Sequence, residues 1–342
     1  MPVNTTPSPT AELLRVGSRD SKLALIQTEL VVAAIRQAHP TLRVEIETMK
    51  TIGDKIQDVA LSKFGDKGLF TKELEVALEA GFIDLVVHSL KDMPTTLPDN
   101  MTLAAITERE DPRDALIMAP RHSYRTLEEM PSGSVIGTGS VRRVAQLRRL
   151  YPTLTFMDIR GNLNTRLAKL DAEDSPFDAL ILAVAGMTRL GLESRITQRI
   201  DSVLHAVGQG ALGIEIRSDD QRTGLIAASL NHRATRLACL AERELMRVLE
   251  GGCSVPIGAV AQWDDSAKRL SMQAIVVSPD GEQAVEASSE IIVDLEQDED
   301  AQARALGNTV AATMRERGAE RILQAIERTP AAPVPVPVPV SG

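Results

Sequence analysis

Between residues 41 and 187 short apolar runs alternate with amphipathic runs of helical length, and nothing else in the chain constrains its fold as strongly. "TLRVEIETMK" (41–50) switches between apolar and polar residues with the period of two that a half-buried strand requires. "LFTKELEVALEAG" (69–81) spaces its apolar residues as a helix does and closes on a glycine. "FIDLVVHSL" (82–90), "DALIMAP" (114–120), "GSVIGTGS" (133–140), "LTFMDIRG" (154–161) and "FDALILAVAGM" (177–187) read as strands, several running straight into turns. "VRRVAQLRRLY" (141–151) and "NLNTRLAKLDA" (162–172) read as helices. Strands separated by such helices predict α/β units around a largely parallel sheet. Past residue 230 the pattern becomes one long helix, strands in "SMQAIVVSPDG" and "QAVEASSEIIVD", and a closing helix to about residue 328. That describes a smaller α+β domain.

Composition narrows the function. One Trp, two Tyr and five Phe cannot build a base-stacking surface, and a net charge of −9 weighs further against a nucleic-acid partner. No run approaches the roughly 20 apolar residues of a membrane span. With two cysteines fourteen apart and no signal peptide, a reducing, cytoplasmic compartment is expected. His39, His88, His122, His205 and His232 show no ligand spacing, so no metal is expected. Residues 1–11 and the Pro-Val segment 329–342 are expected to be disordered.

Four clusters of cationic residues fall at loop positions. Arg19 and Ser21 lie in "GSRDSKLAL", and Lys63 and Lys67 in the Gly-rich "LSKFGDKGLF". Arg142 and Arg143 follow "GTGS", and Arg160 and Arg166 flank "GNLNT". Helix starts attract anions, and guanidinium forks there suit carboxylates or phosphates. Each cluster alone reads as surface; together, in an acidic protein, they suggest a cleft for a polyanion. "HSLKDMP" (88–94) ends an apolar strand and puts Lys91 and Asp92 where α/β folds gather ligands. Asp92 there could stabilise a developing cation or hand over a proton. "VGQGALG" (207–213) matches a dinucleotide glycine pattern, but a strand rather than a helix follows it. Its glycines are expected to let a crossing segment pack closely against another backbone. Cys239 reads as core. Cys253, in "LEGGCSVPIG" (249–258), is either a small buried hydrophobe or a thiol held out for chemistry.

Together these pieces resemble the porphobilinogen deaminase family. "SRDSKLAL", "KGLFTKELEVAL", "VHSLKDMP", "EREDPRDA", "GTGSVRR", "RGNLNTRL", "LAVAGMTRLGL", "VGQGALGIE" and "LEGGCSVPIG" occur in the family's order from about residue 13 to 328. The resemblance implies an α/β fold of two periplasmic-binding-protein-like lobes plus a smaller α+β C-terminal domain. Domain 1 is expected at 12–107 plus about 208–228, domain 2 at 112–202 and domain 3 at 231–328. It implies a dipyrromethane cofactor bound through a thioether at Cys253. The implied reaction joins four porphobilinogen units head to tail with loss of ammonia, then hydrolyses the product free. By matching motifs, Arg19, Arg142, Arg143, Arg160, Gly161 and Arg166 meet the carboxylates, with Ser21, Ser140 and Lys91 assisting. Asp92 matches the catalytic carboxylate, steadying an azafulvene-like cation as ammonia leaves. Lys63 and Lys67 match a mobile loop over the cleft, and a monomer is implied. Gly139 stands where the family usually has a hydroxyl, a loss of about 1 kcal/mol if one hydrogen bond goes with it. Two rivals remain: a two-lobed small-anion binding protein, needing neither Cys253 nor Asp92, and a thiol acyltransferase using His205 or His232 as base.

Overall fold

The computed structural model describes residues 13–51, 71–249 and 255–328. Three sheets organise it. The first has the order β2-β1-β3-β10-β4, from β1 (Leu13–Arg19), β2 (Arg43–Met49), β3 (Leu85–Ser89), β4 (Met101–Ile106) and β10 (Leu212–Arg217). The second repeats that plan as β7-β6-β8-β5-β9, from β5 (Asp114–Met118), β6 (Val135–Gly137), β7 (Thr155–Met157), β8 (Ala179–Ala183) and β9 (Gln198–Ile200). The third is an antiparallel meander of β11 (Ile257–Asp264), β12 (Arg269–Val277) and β13 (Ala284–Ile292). These are the two lobes and the smaller C-terminal domain.

The sheets are mixed, which corrects the expectation of a largely parallel one. β1, β2 and β3 are mutually parallel, and so are β6, β7 and β8. β10 and β5, in contrast, run antiparallel to both of their neighbours. The cause is connectivity. The chain leaves the first lobe after β4, enters the second as β5, leaves it after β9 and returns as β10. A strand arriving from the gap between lobes must run against strands whose carboxyl ends point into that gap.

The two crossing segments touch backbone to backbone: Glu110 N donates to Gly210 O at 3.2 Å and Thr107 N to Leu212 O at 3.0 Å. Gly210 has φ +93°, and a Cβ there would lie 2.3 Å from Glu110 O. Gly210 therefore serves the close backbone approach expected from the sequence, whereas Gly208 and Gly213 make room for the side chains of Leu90 and Met93.

Helices cover the sheets. α1 (Lys22–Ala38) buries Gln27, Val31 and Ile35 on one stripe, with Thr28 and Val32 beside them. α2 (Lys72–Glu79) puts Leu74 and Leu78 under the first sheet. The second lobe carries α3 (Val141–Leu150), α4 (Leu163–Asp171) and α5 (Val184–Arg189). α6 (Gln221–Ala228) returns to the first lobe, and α7 (Arg233–Val248) opens the C-terminal domain. The closing helix is two helices, α8 (Glu299–Glu316) and α9 (Ala319–Arg328), parted at Gly318, whose φ of +95° a helix cannot continue through. Strands β4, β9 and β11 escaped the sequence reading. α7, α8 and the third sheet enclose one aliphatic core that includes Leu240, Leu245, Met272 and Val310. Each such side chain contributes roughly 1.5–3 kcal/mol on burial. Among the described residues no helix is long and apolar enough to cross a membrane.

Arg109, on the outgoing crossing segment, ties that domain to the lobes. Its guanidinium donates to both oxygens of Glu242 on α7, at 2.8 and 2.9 Å. Glu242 also accepts from Gly208 N at 2.8 Å and from Ala261 N on β11 at 3.1 Å. Burial pushes this carboxyl upward, and Arg109 outweighs it, so Glu242 stays ionised.

Candidate functional site

The parallel strands end at the gap between lobes, and β1, β6, β7 and β8 each lead directly into the start of a helix. Ser21 caps α1, its Oγ accepting from Ala24 N at 3.4 Å. Ser140 Oγ accepts from Arg143 N at 3.4 Å and caps α3; Asn162 Oδ1 accepts from Thr165 N at 2.9 Å and caps α4. β3 passes instead into a short 3-10 turn, Leu90–Asp92. Local sequence dictates these starts, because short polar side chains satisfy the first free N–H groups of a helix.

A cavity of about 630 Å³ lies among these turns. Among the described residues, seven cationic side chains line it: Arg19, Lys22, Lys91, Arg143, Arg160, Arg166 and Arg189. Of the described carboxylates, two do, Asp20 and Asp92. Arg166 is lowered to about 10 by burial and by Arg143 and Arg160, partly offset by Asp158 and Asp92. Burial lowers Lys91 as well, with Arg143 adding to it against Asp92 and Asp114. Cations that depress one another across a cavity hold it at strongly positive potential. A ligand bearing several carboxylates relieves that crowding, and a polycarboxylated pyrrole cofactor meets the condition.

The residues singled out from sequence separate into three groups. Arg19, Ser21, Lys91, Asp92, Arg143, Arg160, Gly161 and Arg166 all line the cavity. Ser140 and Arg142 do not: Ser140 caps α3, and Arg142 faces the protein interior. Arg142 donates to both oxygens of Asp114, at 2.8 and 3.1 Å, and to Leu204 O at 2.8 Å. Cys253, Lys63 and Lys67 lie outside the described residues.

Asp114, at the start of β5, is the anchor that motif reading missed. It is buried and also accepts from Arg143 Nε at 2.9 Å and Gln209 Nε2 at 2.9 Å. Burial alone raises such a carboxyl; Arg142 and Arg143 reverse this and hold it far below the usual range. Gln209 links onward to Lys91 Nζ at 3.4 Å, so one buried network joins the lysine of the first lobe to the arginines of the second. Arg189 was missed too. It stands at the end of α5, donates to Gly210 O at 2.6 Å and lines the cavity. Its only sequence signal was a place in "LAVAGMTRLGL".

Cys239 is core: fully buried beside Leu90, Met93 and Ile106, its thiol is pushed up to about 12 by desolvation. His205 is lowered to about 4, by burial above all, and remains neutral.

Two lobes joined by two crossing segments, with a cationic cavity between them and a third domain braced against the crossing, define an α/β protein with a carboxylate in a site whose lining suits an anionic ligand. Comparison with known proteins makes the class specific. Residues 14–224 match the family model described as "Porphobilinogen deaminase, dipyromethane cofactor binding domain", and residues 236–316 match "Porphobilinogen deaminase, C-terminal domain". A porphobilinogen deaminase of Eremothecium gossypii is 50% identical over 321 residues, covering 92% of this chain and 98% of that protein. One of Synechococcus sp. (strain RCC307) is 51% identical over 319 residues, covering 93% and 97%. Among solved structures the methionine-binding protein MetQ aligns at 14% identity and a TM-score of 0.39, over 64% of this chain and 89% of that one. The chain belongs to the porphobilinogen deaminase family, a family of enzymes with a dipyrromethane cofactor.

Proposed function

We propose that this chain joins four porphobilinogen molecules head to tail, releasing ammonia at each step, and frees the linear tetrapyrrole by hydrolysis. The observation that carries the reading is the cavity, with its seven cationic side chains against two carboxylates. Each pyrrole unit brings an acetate and a propionate, so the growing chain is a polyanion suited to that lining.

The dipyrromethane group, when bound, supplies the pyrrole carbon to which the first substrate unit is joined. We assign its attachment to Cys253 through a thioether, since a thiolate is the side chain best able to attack an electron-poor methylene carbon. Arg19, Arg143, Arg160, Arg166 and Arg189 hold substrate and cofactor carboxylates. Ser21, Gly161 and Lys91 assist at the same turns. Arg142 and Ser140 act one layer behind, the first through Asp114 and the second as the helix cap that orients Arg143. Asp92 is the one carboxylate on the β3 turn beside Lys91. It steadies the positive charge that develops on a substrate pyrrole as its amino group departs, and it accepts the proton that the new bond releases. The small-anion binding protein has no use for a carboxylate in that position, and neither candidate base of the acyltransferase lines the cavity: His205 is buried, and His232 bonds Thr235 Oγ1 at the start of α7. The reading includes a cytoplasmic monomer acting on a small molecule, with domains divided as the sequence suggests.

Intact-mass analysis of denatured wild-type protein beside Cys253→Ser tests the assignment. An excess of one dipyrromethane in the wild type alone, with ammonia released from porphobilinogen, is the expected result. A bare polypeptide mass that persists after incubation with porphobilinogen refutes it.

A further inference from the structure

We propose that Asp158 is a positioning residue for the anion site, holding Arg160 so that its two terminal nitrogens face the ligand, and that Gly139 makes room for it. Asp158 follows β7 by one residue and does not itself line the cavity. Its Oδ2 accepts from Arg160 Nε at 2.5 Å. Among the described residues no other hydrogen bond engages the Arg160 side chain, which is a quarter exposed and lines the cavity. A guanidinium offers carboxylates two faces, a side-on pair that uses Nε and an end-on pair that uses Nη1 and Nη2. Asp158 occupies the first, so a ligand carboxylate is left the second. The arrangement also stops the long side chain from sweeping the cavity, which lowers the entropy lost when ligand binds.

The other oxygen, Oδ1, is buried and has no hydrogen-bond partner among the described residues. A Cβ built on Gly139 would stand 3.1 Å from it, close to Ile159 O at 3.4 Å. Glycine is therefore the residue that lets the carboxylate sit this near the start of α3. The missing hydroxyl at 139 and the carboxylate at 158 are two parts of one local solution. An orphan buried oxygen is costly, so the arrangement persists for what Oδ2 does to Arg160.

The inference rests on Arg160 being a ligand for substrate carboxylates, and the experiment separates the two. Steady-state kinetics with porphobilinogen are measured for Asp158→Ala, Asp158→Asn and Arg160→Ala, each checked for native circular dichroism. Asp158→Ala is expected to raise KM about tenfold while kcat stays within about threefold. Asp158→Asn, which keeps an acceptor for Nε, recovers most of that loss. An unchanged KM in Asp158→Ala, or Asp158→Asn as poor as Asp158→Ala, overturns the inference. If Arg160→Ala leaves KM unchanged, the reading of the cavity itself fails; if it alone raises KM, only the role of Asp158 fails. Thermal melting of Gly139→Ser gives a readout independent of turnover. The serine Cβ would crowd Oδ1 at 3.1 Å, so the midpoint is expected to fall by about 2 °C or more, and an unchanged or raised midpoint overturns the claim that Gly139 makes room for Asp158.

Discussion

Replacing Asp114 by Asn removes one negative charge and keeps the shape of the side chain, in a place where two buried guanidiniums depend on that charge. Arg142 and Arg143 are 4% and 7% exposed, and both meet Asp114 within 2.8 Å. At an effective dielectric of about 20, a pair of unit charges about 4 Å apart is worth roughly 4 kcal/mol, so two pairs supply roughly twice that. Desolvation of three charged groups opposes this with several kcal/mol for each ion. The wild-type network thus contributes little net stability, but breaking it leaves two cations buried without compensation. A loss of roughly 3–5 kcal/mol is expected for Asp114→Asn, a large part of the roughly 5–15 kcal/mol typical of a folded domain. Urea unfolding followed by far-ultraviolet circular dichroism measures it. Arg142→Met in the Asp114→Asn background should recover part of the loss, because it removes one stranded charge without touching the cavity. Asp114→Asn within about 1 kcal/mol of wild type, or no recovery in the double variant, refutes the electrostatic account.

Three further outcomes follow from other parts of the molecule. Arg189→Ala removes a cation from the cavity and its bond to Gly210 O; KM for porphobilinogen should rise at least about tenfold in steady-state assays, the value of one charge-assisted hydrogen bond. His205 is neutral in the folded state with its pKa lowered to about 4, whereas the unfolded chain takes up its proton near 6.5. Stability from this residue is therefore complete above about pH 6.5 and is lost as pH falls towards 4, by up to about 3 kcal/mol. Melting curves of His205→Asn across that range should show a flatter slope than wild type. Gly210→Ala must place a Cβ 2.3 Å from Glu110 O at a φ of +93°, so the crossing segments must part. A melting midpoint lowered by several degrees is expected, with a larger loss of turnover than of secondary structure, because the crossing segments position Gln209 and Arg189.

Much of the site was legible because it is local. A turn such as "GSRDS" or "GTGSVRR" after an apolar run specifies strand, cap and helix start within ten residues, and with them the position of Arg19, Arg143 and Arg160 at the gap. The alternation of strands and helices was legible for the same reason, as was the core position of Cys239 on a helix's apolar side. Gly210 announced a close backbone approach by its type alone.

Three things were not local and could not be read. Arg142 and Arg143 are neighbours at one helix start, identical in every propensity. Successive helical residues point about 100° apart, and only the position of β5 decides that one faces Asp114 and the other the cavity as well. Arg189 sits at the end of α5, where a basic residue needs no explanation beyond the helix dipole; its place in the site exists because the second crossing segment brings Gly210 O to it. The direction of β5 and β10 likewise follows from which lobe the chain has just left, a fact no ten-residue window contains. Sequence by itself determined the units and which of their ends carry charge, because periodicity, capping and glycine freedom act over a single turn. Tertiary structure alone decided which charges meet a ligand and which meet Asp114, because that depends on the approach of segments about a hundred residues apart.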